Sequence, residues 1–321
     1  MSGSKAKHLK TLSEKELAEF FDSFDLVFCD CDGVVWYPLR DFIPGSAEAL
    51  AHLELLGKQV TFVTNNSISS VKEHIEKFQE QGHLKVDESQ IVHPAQTICD
   101  HLKAINFGGL IYCLATPPFK KLLLDAGFKL AKDSGSGTIT SLRDLHEAIY
   151  GGESVDAVVI DVDFNLSAAK MMRAHVQLQN PKCLFLAGAA DALIPFGKGE
   201  IIGPGAFIDV VTQSVGRQPT TLGKPGEDLR KLLLDRHPEV PPIPPSRVLF
   251  VGDSLASDIG FARRSGYQTL LVLTGGTKLE ELRLLPDGHP QMPDYLVDCL
   301  GQIAPTPSNP QSSNPDSAHF D

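Results

Sequence analysis

Two aspartates stand two positions apart where a short apolar run ends. Asp30 and Asp32 follow the run that begins at Leu26, and Gly33 comes directly after them. A run of this kind is typical of a buried strand, in which residues i and i+2 point to the same side. Glycine lets the chain turn sharply away from a strand end. Because unpaired carboxylates beside a core are costly, the pattern indicates either a site that uses acids or, as the structural alternative, a helix cap or solvated turn.

Three further groups of polar residues along the chain could belong to the same site. They are Thr64, Asn65 and Asn66 after one apolar run, Lys224 between a glycine and a proline, and Asp253 and Asp258 after another apolar run. Each alone has a structural explanation as a cap, a turn or a solvated lysine. In one parallel sheet, however, the carboxyl ends of the strands meet at one edge. Carboxylates, a hydroxyl and an ammonium gathered there are what metal-assisted phosphoryl transfer through a covalent carboxyl intermediate requires.

The residues between these clusters alternate between strand and helix patterns, which predicts an α/β fold with a doubly wound, Rossmann-like parallel sheet. The middle third has its own strands and helices, which predicts a second, smaller α/β unit inserted into the first. The predicted division is an N-terminal extension with a short helix at 1–24, a core at 25–103 and 205–303, the inserted unit at 104–204, and a disordered tail at 304–321.

The composition and net charge of the chain argue against some classes of partner and location. The chain has 321 residues, 42% of them hydrophobic, and a formal charge of −11. This charge argues against nucleic-acid and anionic-membrane partners, which favour basic patches. The six cysteines form no C-x-x-C pair, so we expect buried free thiols in a reducing compartment. The N-terminus lacks an apolar signal segment and no run is long enough to span a membrane, so a cytoplasmic protein is expected.

The order and spacing of the four clusters resemble the four motifs of the haloacid dehalogenase superfamily of phosphatases. The matching stretches are Asp30-Cys-Asp-Gly-Val-Val-Trp36, Thr64-Asn-Asn66, Gly223-Lys-Pro225 and Gly252-Asp-Ser-Leu-Ala-Ser-Asp258. The insert between the second and third motifs is similar to the α/β cap domain of the subclass with p-nitrophenylphosphatases, phosphoglycolate phosphatase and pyridoxal phosphatase. The resemblance extends from about Leu26 to Gly276 and rests on the four motifs together.

The resemblance implies a magnesium-dependent phosphomonoesterase acting on small phosphate esters of these types. Asp30 would be the nucleophile that forms an aspartyl-phosphate, and Asp32 would protonate the leaving group and then activate water. Asp30, the backbone carbonyl of Asp32 and Asp253 would hold Mg²⁺. Gly33 would support the turn that follows Asp32. A homodimer through the cap is also implied by the resemblance.

The remaining motif residues would act around the phosphate. Thr64 would donate its hydroxyl to phosphoryl oxygens, and Lys224 would neutralise charge and fix the nucleophile. Asp258 would orient Lys224 or a water at the metal. Asn65 and Asn66 would organise the loop or donate to the substrate. Two classes stay open as alternatives: a phosphoprotein phosphatase or phosphotransferase on the same fold, and a non-enzymatic scaffold. A nucleotide-dependent oxidoreductase is disfavoured because the first strand lacks a G-x-G-x-x-G turn.

Two stretches depart from this pattern. Asp161 and Asp163 also follow an apolar run, but Phe164 stands where the first motif has glycine. We interpret them as a strand end of the inserted unit, whose acids face either the substrate cleft or solvent. The loop Ala187-Gly-Ala-Ala-Asp191 lacks the threonine or asparagine common in the subclass, and Ser254 stands where arginine is common. Both departures bear on substrate choice rather than on the chemistry.

Overall fold

The computed structural model describes residues 6–133, 137–196, 199–238 and 242–304. The predicted disordered tail, apart from Ala304, lies outside these residues. The strands are β1 Lys7–His8, β2 Leu26–Cys29, β3 Gln59–Val63, β4 Ile91–Val92, β5 Leu110–Leu114, β6 Lys129–Leu130, β7 Ala157–Ile160, β8 Leu184–Ala187, β9 Leu193–Phe196, β10 Gly199–Ile202, β11 Thr220–Thr221, β12 Val248–Gly252, β13 Gln268–Val272 and β14 Tyr295–Val297.

The α-helices connect these strands and cover the sheets. They are α1 Glu14–Asp22, α2 Ser46–Leu55, α3 Val71–Gly82, α4 Pro94–Ala104, α5 Pro117–Asp125, α6 Leu142–Tyr150, α7 Ala168–Leu178, α8 Pro204–Val215, α9 Glu227–Asp235, α10 Gly260–Arg264 and α11 Leu279–Leu284. Capping boxes fix the start of α1, at Ser13 with Glu16, and the start of α3, at Ser70 with Glu73. Among the described residues, no helix is long and apolar enough to cross a membrane.

The first sheet has seven strands in the order β1-β14-β13-β12-β2-β3-β4, all parallel. Its central strands β2 and β12 are buried along their whole length, as expected for strands covered on both faces. β2 lies between β12 and β3. The carboxyl ends of the three strands that precede Asp30, Thr64 and Asp253 are therefore adjacent. The prediction of an α/β fold with a parallel sheet and a second sheet is confirmed.

The second sheet has five parallel strands in the order β11-β8-β7-β5-β6, and β9 and β10 form a separate antiparallel pair. Its strands pack in two apolar clusters, one on each face of the sheet. One cluster includes Leu222 and Leu186, and the other includes Tyr112 and Phe185. This sheet therefore has a core of its own, separate from the core around β2.

The second sheet uses more of the chain than residues 104–204. β11 pairs with β8, and Ile208 of α8 packs in the same cluster as Phe185. Ile98 of α4 packs in the cluster that contains Leu186. We therefore propose that the inserted unit begins with α4 and ends after β11, although the sequence pattern assigned both elements to the core.

The cysteines fit the prediction of free thiols. All six are free, and five of them are buried. Cys29 and Cys31 flank Asp30 and pack in the apolar cluster of the first sheet. Successive side chains along an extended segment point to opposite sides, so these thiols point away from the carboxylate of Asp30.

Candidate active site

The loops after β2, β3 and β12 and the segment before α9 bring most of the predicted residues together. Asp30 follows β2 directly, and its backbone N–H donates to the carbonyl oxygen of Val251 at 2.9 Å. This hydrogen bond continues the β2–β12 ladder by one residue and places Asp30 beside the end of β12. Asp253 follows that end by one residue. The close approach of the two aspartates is thus set by strand pairing.

Lys224 lies between two of the aspartates. Its Nζ is 2.8 Å from Oδ1 of Asp30 and 2.7 Å from Oδ1 of Asp258. Lys224 is 1% exposed, Asp258 is 0% exposed and Asp30 is 7% exposed. One buried ammonium is therefore shared by two buried carboxylates. Loss of any of the three groups would leave a buried charge without its partner, which is costly in a protein interior.

Burial and charge act on these groups in opposite directions. Burial alone would lower the pKa of Lys224, but the carboxylates of Asp258 and Asp30 outweigh it and hold this pKa above its ordinary value. Burial raises the pKa of Asp30, and the nearby Lys224 opposes that rise. Burial, reinforced by the charge of Asp258, raises the pKa of Asp253 to about 7. The site thus carries more negative charge than one ammonium balances.

The donor set fits a small divalent cation. One carboxylate oxygen from each of Asp30, Asp253 and Asp258 lies within 4.8 Å of the others. Asp258 is committed elsewhere, since its Oδ1 accepts from Lys224 and its Oδ2 accepts from the backbone N–H of Asp253 and Ser254, each at 3.0 Å. Asp30 and Asp253 are therefore the side chains best able to bind Mg²⁺, which prefers oxygen ligands. Asp258 instead supports them.

The Asp32 carboxylate does not join this cluster. Its Oδ1 accepts from Nε1 of Trp36 at 3.0 Å, and its Oδ2 accepts from Nδ2 of Asn66 at 2.9 Å. Two neutral donors from different loops therefore fix the half-buried carboxylate. Only the backbone carbonyl of Asp32 is left as the predicted metal ligand, and its side chain is left for proton transfer. Trp36 stands in the first motif, but its hydrogen bond was not foreseen from the sequence.

The polar side chains of the loop after β3, residues 64–67, form hydrogen bonds with several different partners. Thr64 is buried, and its Oγ1 accepts from the backbone N–H of Asn66 at 3.0 Å. Asn65 grips the backbone of Lys224: its Oδ1 accepts from the Lys224 N–H at 2.9 Å, and its Nδ2 donates to the Lys224 carbonyl oxygen at 2.9 Å. Of the two roles considered for Asn65, this geometry favours loop organisation.

Gly33 is required by space as well as by conformation. Its φ of +80° lies in the left-handed region, and a Cβ there would overlap the carboxylate of Asp253. Gly275 approaches the same carboxylate as closely, and Gly276 donates its N–H to Asp253 Oδ2 at 2.6 Å. These two glycines were not predicted, although the run Thr274-Gly-Gly276 directly after a predicted strand was a signal for them.

Asp161 and Asp163 do not face solvent, so that alternative of the interpretation was wrong. Asp161 is 3% exposed, and it accepts from Oγ of Ser67 and from the backbone N–H of Ala189, the latter at 2.8 Å. Burial raises its pKa to about 6. Asp163 pairs with the buried Lys170 at 2.9 Å. Asp161 therefore joins the end of β7 to the loop after β3.

The chain is similar to known hydrolases in both sequence and fold. Residues 27–129 match the family described as Haloacid dehalogenase-like hydrolase, and residues 221–303 match a family described as HAD-hydrolase-like. A 4-nitrophenylphosphatase from Schizosaccharomyces pombe is 34% identical to the chain, with 92% of this chain and 99% of that protein covered. The chain belongs to the haloacid dehalogenase-like hydrolases. Phosphoglycolate phosphatase 2 from Arabidopsis thaliana is 31% identical over 91% of this chain and 96% of its own length.

Solved structures of haloacid dehalogenase-like hydrolases share the fold. A 4-nitrophenylphosphatase from Thermotoga maritima superimposes with a TM-score of 0.72 at 25% identity, covering 88% of this chain and 97% of that one. A p-nitrophenyl phosphatase from Archaeoglobus fulgidus gives 0.73 at 24% identity, covering 88% and 98%. The prediction that the chain is a phosphatase of the haloacid dehalogenase superfamily, and so a hydrolase, is confirmed. Human chronophin is a further relative, 31% identical over 86% of this chain and 91% of its own.

Proposed function

We propose that this protein is a Mg²⁺-dependent phosphomonoesterase that hydrolyses small phosphorylated metabolites through an aspartyl-phosphate on Asp30. The observation that carries this proposal is the buried Asp30 carboxylate, 2.8 Å from Lys224 and within 4.8 Å of the oxygens of Asp253 and Asp258. A carboxylate nucleophile must approach an anionic phosphate, so it needs positive charge beside it. Lys224 supplies one such charge, and a bound Mg²⁺ at Asp30 and Asp253 would supply the rest.

The proposed reaction has two halves. In the first, a carboxylate oxygen of Asp30 attacks phosphorus, the bond from phosphorus to the leaving oxygen breaks, and Asp32 donates a proton to that oxygen. In the second, Asp32 takes a proton from water, whose oxygen attacks phosphorus and breaks the bond to Asp30. Inorganic phosphate leaves, and both aspartates return to their starting states. The Thr64 hydroxyl and Lys224 would stabilise the phosphoryl oxygens throughout.

Small esters are the substrates that the contacts between the two sheets favour. Asp161 at the end of β7 is hydrogen-bonded to Ser67, so the second sheet lies against the loop that precedes α3. A cleft covered in this way limits the approach of a folded phosphoprotein. The relatives' names, 4-nitrophenylphosphatase and phosphoglycolate phosphatase, support the same class. A homodimer through the inserted unit and a cytoplasmic location remain predictions.

The test is turnover of p-nitrophenyl phosphate by the wild type and by Asp30→Asn, each with Mg²⁺ and with EDTA. We expect activity that requires both the metal and Asp30, since the amide is a far poorer nucleophile than the carboxylate. Asp209→Asn is the matched control, because Asp209 is exposed on α8. Activity that survives Asp30→Asn would remove the nucleophile assignment. A wild type inactive on a panel of small phosphate esters would favour the scaffold alternative instead.

A further inference from the structure

Asp191, in the loop after β8, reaches from the second sheet to two segments of the active site. Its Oδ2 accepts from Nδ2 of Asn65 at 2.6 Å, and its Oδ1 accepts from Oγ of Ser257. Both donors are neutral, so the carboxylate is used here as a hydrogen-bond acceptor and not as half of an ion pair. Asn65 grips Lys224 and Ser257 precedes Asp258, so Asp191 touches a neighbour of each partner in the Lys224–Asp258 ion pair.

The contact with Asp191 decides which way the Asn65 amide points. A backbone N–H can only donate and a carbonyl oxygen can only accept, so the grip on Lys224 requires Oδ1 toward its nitrogen and Nδ2 toward its oxygen. Nδ2 of Asn65 then donates its second hydrogen bond to the carboxylate of Asp191. Were the amide turned over, its oxygen would face both the Asp191 carboxylate and the Lys224 carbonyl, and all three groups accept. Asp191 thus stabilises the one orientation that holds Lys224.

The position of Asp191 is itself fixed by its backbone. Its carbonyl oxygen accepts from the N–H of Gly205 at 3.0 Å, and the next carbonyl, that of Ala192, accepts from Gly203 at 2.8 Å. A Cβ on Gly203 would overlap the carbonyl oxygen of Asp191. The start of α8 therefore packs directly on this turn, which makes Asp191 a rigid support rather than a mobile surface acid.

We propose that Asp191 is a positioning residue of this enzyme, which acts through Asn65 and Ser257 to hold Lys224 and Asp258 in register with Asp30. This proposal rests on the proposed function and adds a residue outside the four motifs to it. Asp191 does not touch the reacting atoms. Its loss should lower the rate of the chemical step while leaving substrate affinity nearly unchanged, because a displaced Lys224 no longer matches the charge that develops at phosphorus.

The first experiment is a double-mutant cycle between Asp191→Asn and Asn65→Ala, read by p-nitrophenyl phosphate turnover. Asp191→Asn preserves shape but offers one acceptor oxygen in place of two, so Asn65 and Ser257 can no longer both donate to this side chain. We expect kcat to fall about tenfold with KM changed by less than about twofold. In the Asn65→Ala background the same substitution should cost less, because one of the two residues through which Asp191 acts is gone.

Ser67→Ala is the matched control. It removes the other side-chain link between a second-sheet acid and the loop after β3, the bond to Asp161, without touching the Lys224 grip. It should leave kcat within about twofold of the wild type. A fall in kcat as large as that of Asp191→Asn would mean that any loosening of the contact between the sheets is harmful, and it would overturn the specific role of Asp191.

A second readout separates this proposal from the proposed function. The free energy of unfolding in urea should show coupling between Asp191→Asn and Asn65→Ala, whether or not the protein has phosphatase activity. Inactivity of the wild type with clear coupling would refute the function but keep the positioning of Lys224. An active wild type with additive effects on both kcat and stability, or with a rise in KM alone, would refute the role of Asp191.

Discussion

Replacing Lys224 by methionine removes the side-chain ammonium that two buried carboxylates share. Nζ stands 2.8 Å from Asp30 and 2.7 Å from Asp258, and the side chain is 1% exposed. Breaking a buried pair by removing one partner costs about 3–5 kcal/mol, because the remaining charge is left desolvated. Two carboxylates lose their partner here and Asp253 lies near them, so we expect the upper end of that range.

The assay is urea unfolding of the wild type and of Lys224→Met in EDTA, followed by the same titrations in Mg²⁺. A cation bound to Asp30 and Asp253 replaces part of the lost charge, so Mg²⁺ should stabilise the variant more than it stabilises the wild type. Phosphatase activity should fall by at least about a hundredfold, since one oxyanion-stabilising group is commonly worth that much.

Lys170→Met is the matched control. Lys170 of α7 is equally buried but is paired with one carboxylate, that of Asp163 at 2.9 Å in the loop after β7. We expect a smaller loss of stability, no added effect of Mg²⁺ and little change in activity. Equal losses of stability in Lys224→Met and Lys170→Met, or equal stabilisation of both variants by Mg²⁺, would contradict the role given to Lys224.

Three further substitutions test separate parts of the site. Gly33→Ala should cost about 1–2 kcal/mol from its positive φ and should raise the Mg²⁺ concentration for half-maximal activity, because the new Cβ displaces Asp253; an unchanged Mg²⁺ titration would contradict this. Burial raises the pKa of Asp161 to about 6, so the wild type binds more protons folded than unfolded and loses stability as pH rises through that value. Asp161→Asn cannot lose stability in this way, and its deficit in urea unfolding should shrink by about 1 kcal/mol between pH 5 and pH 7.5. Trp36→Phe removes a donor to Asp32 and should slow an alkyl phosphate more than p-nitrophenyl phosphate, whose leaving group needs no proton; equal losses in kcat would count against proton donation by Asp32.

The part of the site that lies on strand ends was predictable. A buried strand leaves a short apolar run in the sequence, and parallel pairing brings the ends of such runs to one edge. Asp30, Thr64 and Asp253 each stand directly after a run of this kind, and Lys224 was added by the order of the motifs. Their proximity in the structure follows from β2 lying between β12 and β3.

The contacts that fix these side chains were not predictable, because they join residues far apart in the chain. Asn65 and Lys224 are separated by 159 positions and Asn65 and Asp191 by 126. Neither separation leaves a periodicity or a spacing in the sequence. The predicted limits of the inserted unit differ from those proposed from the structure for a related reason. β11 is only two residues long, and its membership in the second sheet depends on pairing with β8 rather than on its own composition.

The loop after β8 shows how a stretch that looks featureless can be shaped by its surroundings. Its alanines and glycine stand where the subclass commonly has a threonine or asparagine, a departure that we took to bear on substrate choice. In the structure, a Cβ at Gly188 would overlap the carboxylate of Asp161, while the N–H of Ala189 donates to that carboxylate and the Gly188 carbonyl accepts from Gly223 at 3.1 Å. Small residues are therefore what allow this loop to pass between a buried acid and the segment that carries Lys224. The backbone of this loop contacts Asp161 and Gly223, and these contacts place Asp191, at the end of the loop, where its carboxylate reaches Asn65 and Ser257.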